Sequence, residues 1–264
     1  MRMVGHCAAA LALTVLGLVA CPAFGYTITI DGQVSDWGIN PVGYCHSDWD
    51  PLPGIYVHEG GSSEDYQPGT AGGYVGPGWG GQTYDAEAFY FTADQQYAYF
   101  CVVTGFPPSG VGHHKPGDIA IDIDSDGTWD FGIETTGNDG NIVGALYSNV
   151  NWHDVTFFPS SNPAYILDGT VAWQPDFTNL FYSSIGYGHY VIEAAVPLAA
   201  LPLSSSPTPF TAHWTMDCGN DEVNVQAELP AIPEPGTSTM LCGGLLALAF
   251  TRIKTRIRKK RQAR

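Results

Sequence analysis

The stretch Asp122-Ile123-Asp124-Ser125-Asp126-Gly127-Thr128-Trp129-Asp130 has the residue types and the spacing to hold a hard cation. Carboxylates at alternate positions, followed by a glycine, let a turn curl so that several oxygens face one centre. The candidate ligands are the side chains of Asp122, Asp124, Asp126 and Asp130 with the main-chain carbonyl of Thr128, and the ion they suit is Ca2+. Aspartates at i, i+2 and i+4 in one turn repel one another unless a cation or solvent screens them. The competing reading is a bare hairpin turn, where Asp and Gly are favoured for backbone reasons alone.

The first nine positions of this stretch match those of an EF-hand loop, but position 12 is Ile133, and Glu134 comes one residue late. The flanks alternate with a period of two. Ile119, Ile121 and Ile123 oppose Asp118, Asp122 and Asp124, and Trp129, Phe131 and Ile133 oppose Asp130 and Glu134. Alternation of this kind predicts strands, so the loop belongs to a β-hairpin and not to a helix pair. Tyr84-Asp85-Ala86-Glu87 is a second acidic group that could join the site; a solvated strand edge is the better reading of it.

The elements that must position the loop are short and β-rich. Strands are predicted at Tyr26–Ile30, Ala88–Ala93, Tyr97–Thr104, Asp118–Asp124, Trp129–Thr135, Ile142–Leu146, Val155–Phe158, Thr170–Trp173, Tyr190–Val196, Thr211–Asp217 and Val223–Ala227. Asp94-Gln95-Gln96 joins the second and third as a hairpin, and only Pro197–Leu201 suggests a helical turn. Many short strands broken by Gly/Pro turns predict an all-β chain, a single β-sandwich of jelly-roll-like type. Between Pro51 and Gln82 the pattern fails in a glycine-rich insertion that carries Tyr56, Tyr66, Tyr74 and Trp79. A loop of this length with embedded aromatics reads as ligand-facing. Its Gly76-Pro77-Gly78-Trp79-Gly80-Gly81 spells GxGxxG without the strand before and helix after that a dinucleotide fingerprint needs.

Catalytic patterns are weak by comparison. HExxH, GxSxG and P-loop motifs are absent from the sequence. His113-His114-Lys115 and Trp152-His153-Asp154 could ligate a metal or act as bases, but polar pairs in Gly/Pro loops are ordinarily solvated. Cys218-Gly219-Asn220-Asp221 offers a thiol with His213 five residues away, the wrong spacing for a dyad on one strand face. The reading that follows is a binding protein without catalytic residues. The alternatives are a structural matrix protein with no specific ligand and a hydrolase using Asp/Glu carboxylates. Tryptophans on predicted strands read as core, which leaves Trp49 and Trp79, in loops, as candidate ligand-stacking residues.

Charge is sorted by position along the 264 residues. Of 26 acidic and 10 basic residues, only Glu234 of the acids and only Lys115 of the bases break the pattern of acid in the body and base at the ends. Residues 26–231 therefore carry one base against 25 acids, a net charge of −24. Such a surface repels nucleic acid and attracts divalent cations. Residues 1–25 read as a signal peptide: Arg2, the apolar Ala8–Ala20, then Ala23-Phe24-Gly25 as a small-x-small cleavage site. Leu18-Val19-Ala20-Cys21 also fits a lipobox, which would place a lipid on Cys21 instead. Cys7 and Cys21 lie in this leader and Cys242 in the tail, leaving Cys45, Cys101 and Cys218, from which one disulfide could form without the sequence choosing the pair.

Residues 232–264 form the tail: Pro233-Glu234-Pro235, an apolar run Met240–Phe250, then Arg252, Lys254, Arg256, Arg258, Lys259, Lys260, Arg261 and Arg264. This layout resembles the PEP-CTERM sorting signal of Gram-negative bacteria. The resemblance implies transient anchoring in the inner membrane, recognition by an exosortase, and delivery to the cell surface or extracellular matrix. Gly236–Thr251 gives an apolar segment of 16 residues, short of the roughly 20 a span needs, and snorkelling by Arg252 and Lys254 would make up the difference. An uncut tail anchor is the competing reading.

Four pieces of the body resemble the family-9 type carbohydrate-binding modules and their DOMON-like relatives: Ile30-Asp31-Gly32 with Asp36-Trp37, Asp85–Thr104, Asp118–Asp130, and Tyr190–Pro197. The glycine-rich insertion departs from that pattern. The resemblance implies a β-sandwich that binds polysaccharide on aromatic side chains and holds calcium.

Overall fold

The computed structural model describes residues 27–41, 46–58, 80–155, 162–203 and 206–230. The leader, most of the glycine-rich insertion with Trp79, Cys45, and the tail with Pro233, Glu234, Pro235 and the basic cluster lie outside the described residues.

The chain is all-β. Its strands are β1 (Tyr56–Val57), β2 (Ala86–Ala93), β3 (Tyr97–Thr104), β4 (Ile119–Asp122), β5 (Phe131–Ile133), β6 (Leu146–Asp154), β7 (Pro163–Trp173), β8 (Leu180–Gly186), β9 (His189–Pro197), β10 (Thr208–Thr215) and β11 (Glu222–Leu229). They form two antiparallel sheets, one ordered β1-β2-β3-β9-β8 and the other β11-β10-β4-β5-β6-β7. Among the described residues helix is confined to the single turn His46–Trp49 and to 3-10 turns at Gln82–Tyr84, Asn138–Gly140 and Leu198–Ala200, the last inside the predicted Pro197–Leu201. Among the described residues no helix is long and apolar enough to cross a membrane.

The two sheets share one core. Phe89 and Phe91 of β2, Phe100 and Val102 of β3, and Ile192, Ala194 and Val196 of β9 pack against Ile119 and Ile121 of β4 and Phe210, Ala212 and Trp214 of β10. Phe91 meets Phe210 edge-on at 4.5 Å between ring centroids, a favoured aromatic geometry. In β2 and β3 the intervening residues are apolar as well, because the outer face of this sheet is also covered. Ala88, Tyr90, Cys101 and Val103 lie under Ile28, Val34, Trp37, Ile39 and Trp49 of the N-terminal segment. A strand buried on both faces reads as a nearly continuous apolar run.

A buried carboxylate fastens that covering segment. Glu193 of β9 takes the Trp37 indole N–H at 2.8 Å on one oxygen and the backbone N–H groups of Gly32 at 2.6 Å and Asp31 at 3.2 Å on the other. Gly32 has φ +78°, and a Cβ there would meet Ser183 Oγ at 2.7 Å, so the close approach of the segment to β8 requires glycine. The Ile30-Asp31-Gly32, Asp36-Trp37 and Tyr190–Pro197 pieces are thus one contact.

Several expected strands differ. Residues 27–30 alternate in burial but pair with no strand, since their backbone lies over the sheet face and not at its edge. Of Ile142–Leu146 only Leu146 is in a strand: Val143 and Gly144 turn the chain, with the Ala145 N–H bonded to the Ile142 carbonyl and the Gly144 N–H to that of Glu134. Val155 follows the end of β6, and the rest of that predicted strand is outside the described residues. β1, β8, most of β6 and Pro163–Gly169 of β7 were not expected; in β6 and β8, Ser148, Asn149, Asn151, Ser183 and Ser184 hide the alternation.

Candidate functional site

β4 and β5 pair through Ile119–Ile133, Ala120–Gly132 and Ile121–Phe131, and the acidic loop spans the gap between them. Because Ile121 faces the core, Asp122 must face the opposite side, and it does so while almost fully buried. The loop curls through left-handed conformations at Ser125 (φ 57°) and Gly127 (φ 91°). This brings backbone donors inward: Asp122 accepts the N–H of Asp126 at 3.1 Å and of Gly127 at 2.7 Å, and Asp130 accepts that of Ile123 at 3.0 Å.

These bonds fix carboxylates that would otherwise swing apart. One oxygen each from Asp122, Asp124 and Asp130 lies within 4.8 Å of the others. Oxygens sharing a calcium ion at about 2.4 Å are separated by at most about 4.8 Å, so the spacing fits a common ion. Partial burial pushes the Asp130 carboxyl above its ordinary range; the Ile123 N–H opposes the rise, and the charges of Asp124, Asp122 and Asp126 add to it. A divalent cation would reverse that repulsion.

The candidate ligands do not all converge. Asp126 stands outside the group and is exposed, its Oδ1 taking the Thr128 N–H at 2.8 Å in a local turn. Thr128 is exposed as well. Glu134, one residue beyond the twelfth position, is fully buried elsewhere, accepting N–H bonds from Thr136, Gly137 and Asn138. Asp85 and Glu87, expected at a solvated edge, are buried. Glu87 meets His189 Nε2 at 2.8 Å and also accepts from Gln82 Nε2, because its strand is covered on both faces. Trp49, expected at the surface as a stacking residue, is buried: it packs in the outer-face cluster, 5.9 Å from the His189 ring, and its carbonyl accepts the Tyr90 hydroxyl.

Of the histidines, His113 is exposed as expected of a solvated loop, while His114, His153 and His213 are engaged with neighbours. His153 stacks on Tyr165 at 4.4 Å. His213 is sealed on the outer face of β10, its Nδ1 2.8 Å from Asn224 Oδ1 and its pKa lowered by burial, so it offers nothing to Cys218. His114 Nδ1 lies 2.9 Å from Asp217 Oδ1. Cys101 and Cys218 are free, buried thiols, in different clusters.

Sequence reasoning passed over an aromatic group at the surface. Tyr97 lies 6.2 Å from Tyr99 and 6.4 Å from Phe177, which is 52% exposed. Asp94 adjoins it, accepting the Tyr99 hydroxyl at 2.8 Å and the N–H groups of Gln96 and Tyr97 at 2.6 and 2.7 Å. Alternation within Tyr97–Thr104 already put Tyr97 and Tyr99 on one face; the missing signal was Phe177, 80 residues away. Comparisons with protein-family models, with curated proteins and with solved structures find no match to this chain.

Proposed function

We propose that this protein is an exported, surface-sorted binding protein, a jelly-roll-like β-sandwich that takes polysaccharide or another matrix polymer without reacting it, and that calcium at Asp122, Asp124 and Asp130 stiffens it. The observation that carries the binding role is the partly exposed Tyr97–Tyr99–Phe177 group beside the Asp94 carboxylate. Rings next to a fixed acceptor suit a ligand with apolar C–H faces and hydroxyl edges, which is the chemistry of a sugar. The spacing of the three loop carboxylates supports calcium. The lack of catalysis is supported by the fate of the carboxyls best suited to act as acids. Burial raises Asp118, Glu134 and Glu193, yet all three have no exposed surface, so a glycosidic oxygen could not reach them. Export and sorting rest on the leader, on Pro233-Glu234-Pro235 and on the basic end, which fit an exosortase as partner and the surface of a Gram-negative cell as destination.

Binding to a glycan array, with calcium and with chelator, tests the reading. Tyr97→Ala and Phe177→Ala should each weaken a positive signal about tenfold or more, as loss of roughly 1.4 kcal/mol of ring contact requires, without moving the melting midpoint much. Failure of the protein to bind any sugar in either condition would favour the purely structural matrix role. Turnover of a polysaccharide would favour the hydrolase. Replacing Pro233-Glu234-Pro235 with alanines should leave the chain in the membrane fraction.

A further inference from the structure

Three separate segments meet at the end of the β4–β10 ladder remote from the acidic loop. A tight turn, closed by reciprocal 3.0 Å bonds between Val111 and His114, delivers His114. Asp217 N–H bonds to Lys115 carbonyl at 3.1 Å and Gly219 N–H to that of Met216 at 2.9 Å, which sets Asp217 and Cys218 beside it. Tyr84 presents its ring edge-on to His114 at 6.1 Å, and Asn220 Nδ2 bonds to the Tyr84 carbonyl at 3.2 Å. A ring nitrogen of His114, a carboxylate oxygen of Asp217 and Sγ of Cys218 all lie within 4.8 Å of one another.

From this constellation we infer a second metal site, for zinc, with His114, Asp217 and Cys218 as its protein ligands. Thiolate and imidazole are soft and borderline donors that calcium does not take, and the mixed S, N, O set is that of a tetrahedral zinc ion whose fourth position is left to water. Asp217 and Cys218 are buried while His114 is half-buried, so the ion enters past the imidazole. A catalytic thiol is the other chemistry such a trio suggests. Burial pushes the Cys218 thiol up, the reverse of what an activated nucleophile needs. A metal displaces that proton on binding, so affinity rises with pH.

The test is cobalt substitution of the full-length protein after chelation. Bound Co2+ should give a thiolate charge-transfer band and intense tetrahedral d–d absorption, both bleached by Zn2+ and unmoved by excess Ca2+. Cys218→Ser should abolish the charge-transfer band. His114→Ala, at the half-buried ligand, should weaken Zn2+ binding at least about 100-fold while the chain still unfolds cooperatively in chelator, and it decides the matter should the cysteine variant not fold. Asp122→Asn should leave the cobalt spectrum as it was. The proposal is overturned by a cobalt complex lacking the thiolate band, by a band that survives Cys218→Ser, or by Zn2+ affinity indifferent to His114→Ala.

Discussion

The acidic loop and the His114–Asp217–Cys218 group terminate opposite ends of one strand pair, yet the chain assembles them in different ways. At one end Thr211 of β10 faces Asp122 of β4, and at the other Asp217 N–H reaches Lys115. The loop draws its carboxylates from nine consecutive residues and aims them with its own N–H groups. The second group joins residues 103 positions apart and depends on the β4–β10 register for its geometry. A contiguous site can form with its hairpin; a site built across a ladder forms only when the sheet does. The first should therefore be sensitive to single side chains, and the second to the integrity of the strand pair.

The largest effect should come from Asp122→Ala. In calcium at a hundredfold over its Kd, the variant should lose about 2.7 kcal/mol of ion-derived stability and about 1.5–3 kcal/mol more from the N–H groups it strands. In chelator only the second loss remains. Denaturant unfolding in both conditions separates them, and identical losses in the two would mean that the loop holds no calcium.

Next in size is an effect of pH. Glu193 has no exposed surface, and burial pushes its carboxyl up to about 7, with the Trp37 and Gly32 donors working against the rise. Its folded pKa lies above the unfolded one, so its contribution is fully present below about pH 4.5 and is lost as pH rises to 7, by at most about 3 kcal/mol. Calcium stabilisation runs the other way, because the loop carboxylates must ionise to bind it. Stability in chelator should fall from pH 4.5 to 7, and Glu193→Gln should flatten that fall. A wild-type profile flat in chelator would refute it.

Much of this was legible from residue types. The β2–β3 hairpin, the acidic turn and the pieces around Trp37 and Glu193 carry local signals: period-two alternation, an Asp at the turn, a glycine where the backbone must come close. Trp49 was misplaced because a helical turn in a loop region gives no sign that it will roof a sheet. The burial of Asp118 is hidden for a related reason. The residue alternates with isoleucines as a solvent-facing one would, yet it is sealed, accepting Thr135 and Ile166 N–H groups at 2.7 and 2.8 Å. Burial of the outer face is a tertiary fact that alternation cannot encode. The His114 trio was legible only in its parts, the His113-His114-Lys115 and Cys218-Gly219-Asn220-Asp221 stretches, for the same reason: sheet register, and no spacing in the chain, brings the two together.

A smaller effect separates the ligands within the loop. Asp126→Ala should cost under about 1 kcal/mol in chelator, since its carboxylate is exposed and accepts only the Thr128 N–H within its own turn. It should leave most of the calcium-induced rise in melting midpoint intact, because Asp122, Asp124 and Asp130 make the ion-facing group without it. Loss of the whole rise would mean that the loop closes further around the ion and restores the fifth-position ligand.

The smallest signal is the most direct test of the comparison. The two groups are separated by roughly six residues of an extended strand, about 20 Å, and share no side chain. Stabilisations by Ca2+ and by Zn2+ should therefore add to within about 0.5 kcal/mol. Measured as unfolding free energies with each ion alone and with both, a larger departure would show that β4 and β10 transmit strain from one end to the other. A positive departure would mean that each ion tightens a ladder the other needs in register. Since only the tertiary group relies on that register, the coupling would have to vanish in His114→Ala while the calcium effect itself persisted.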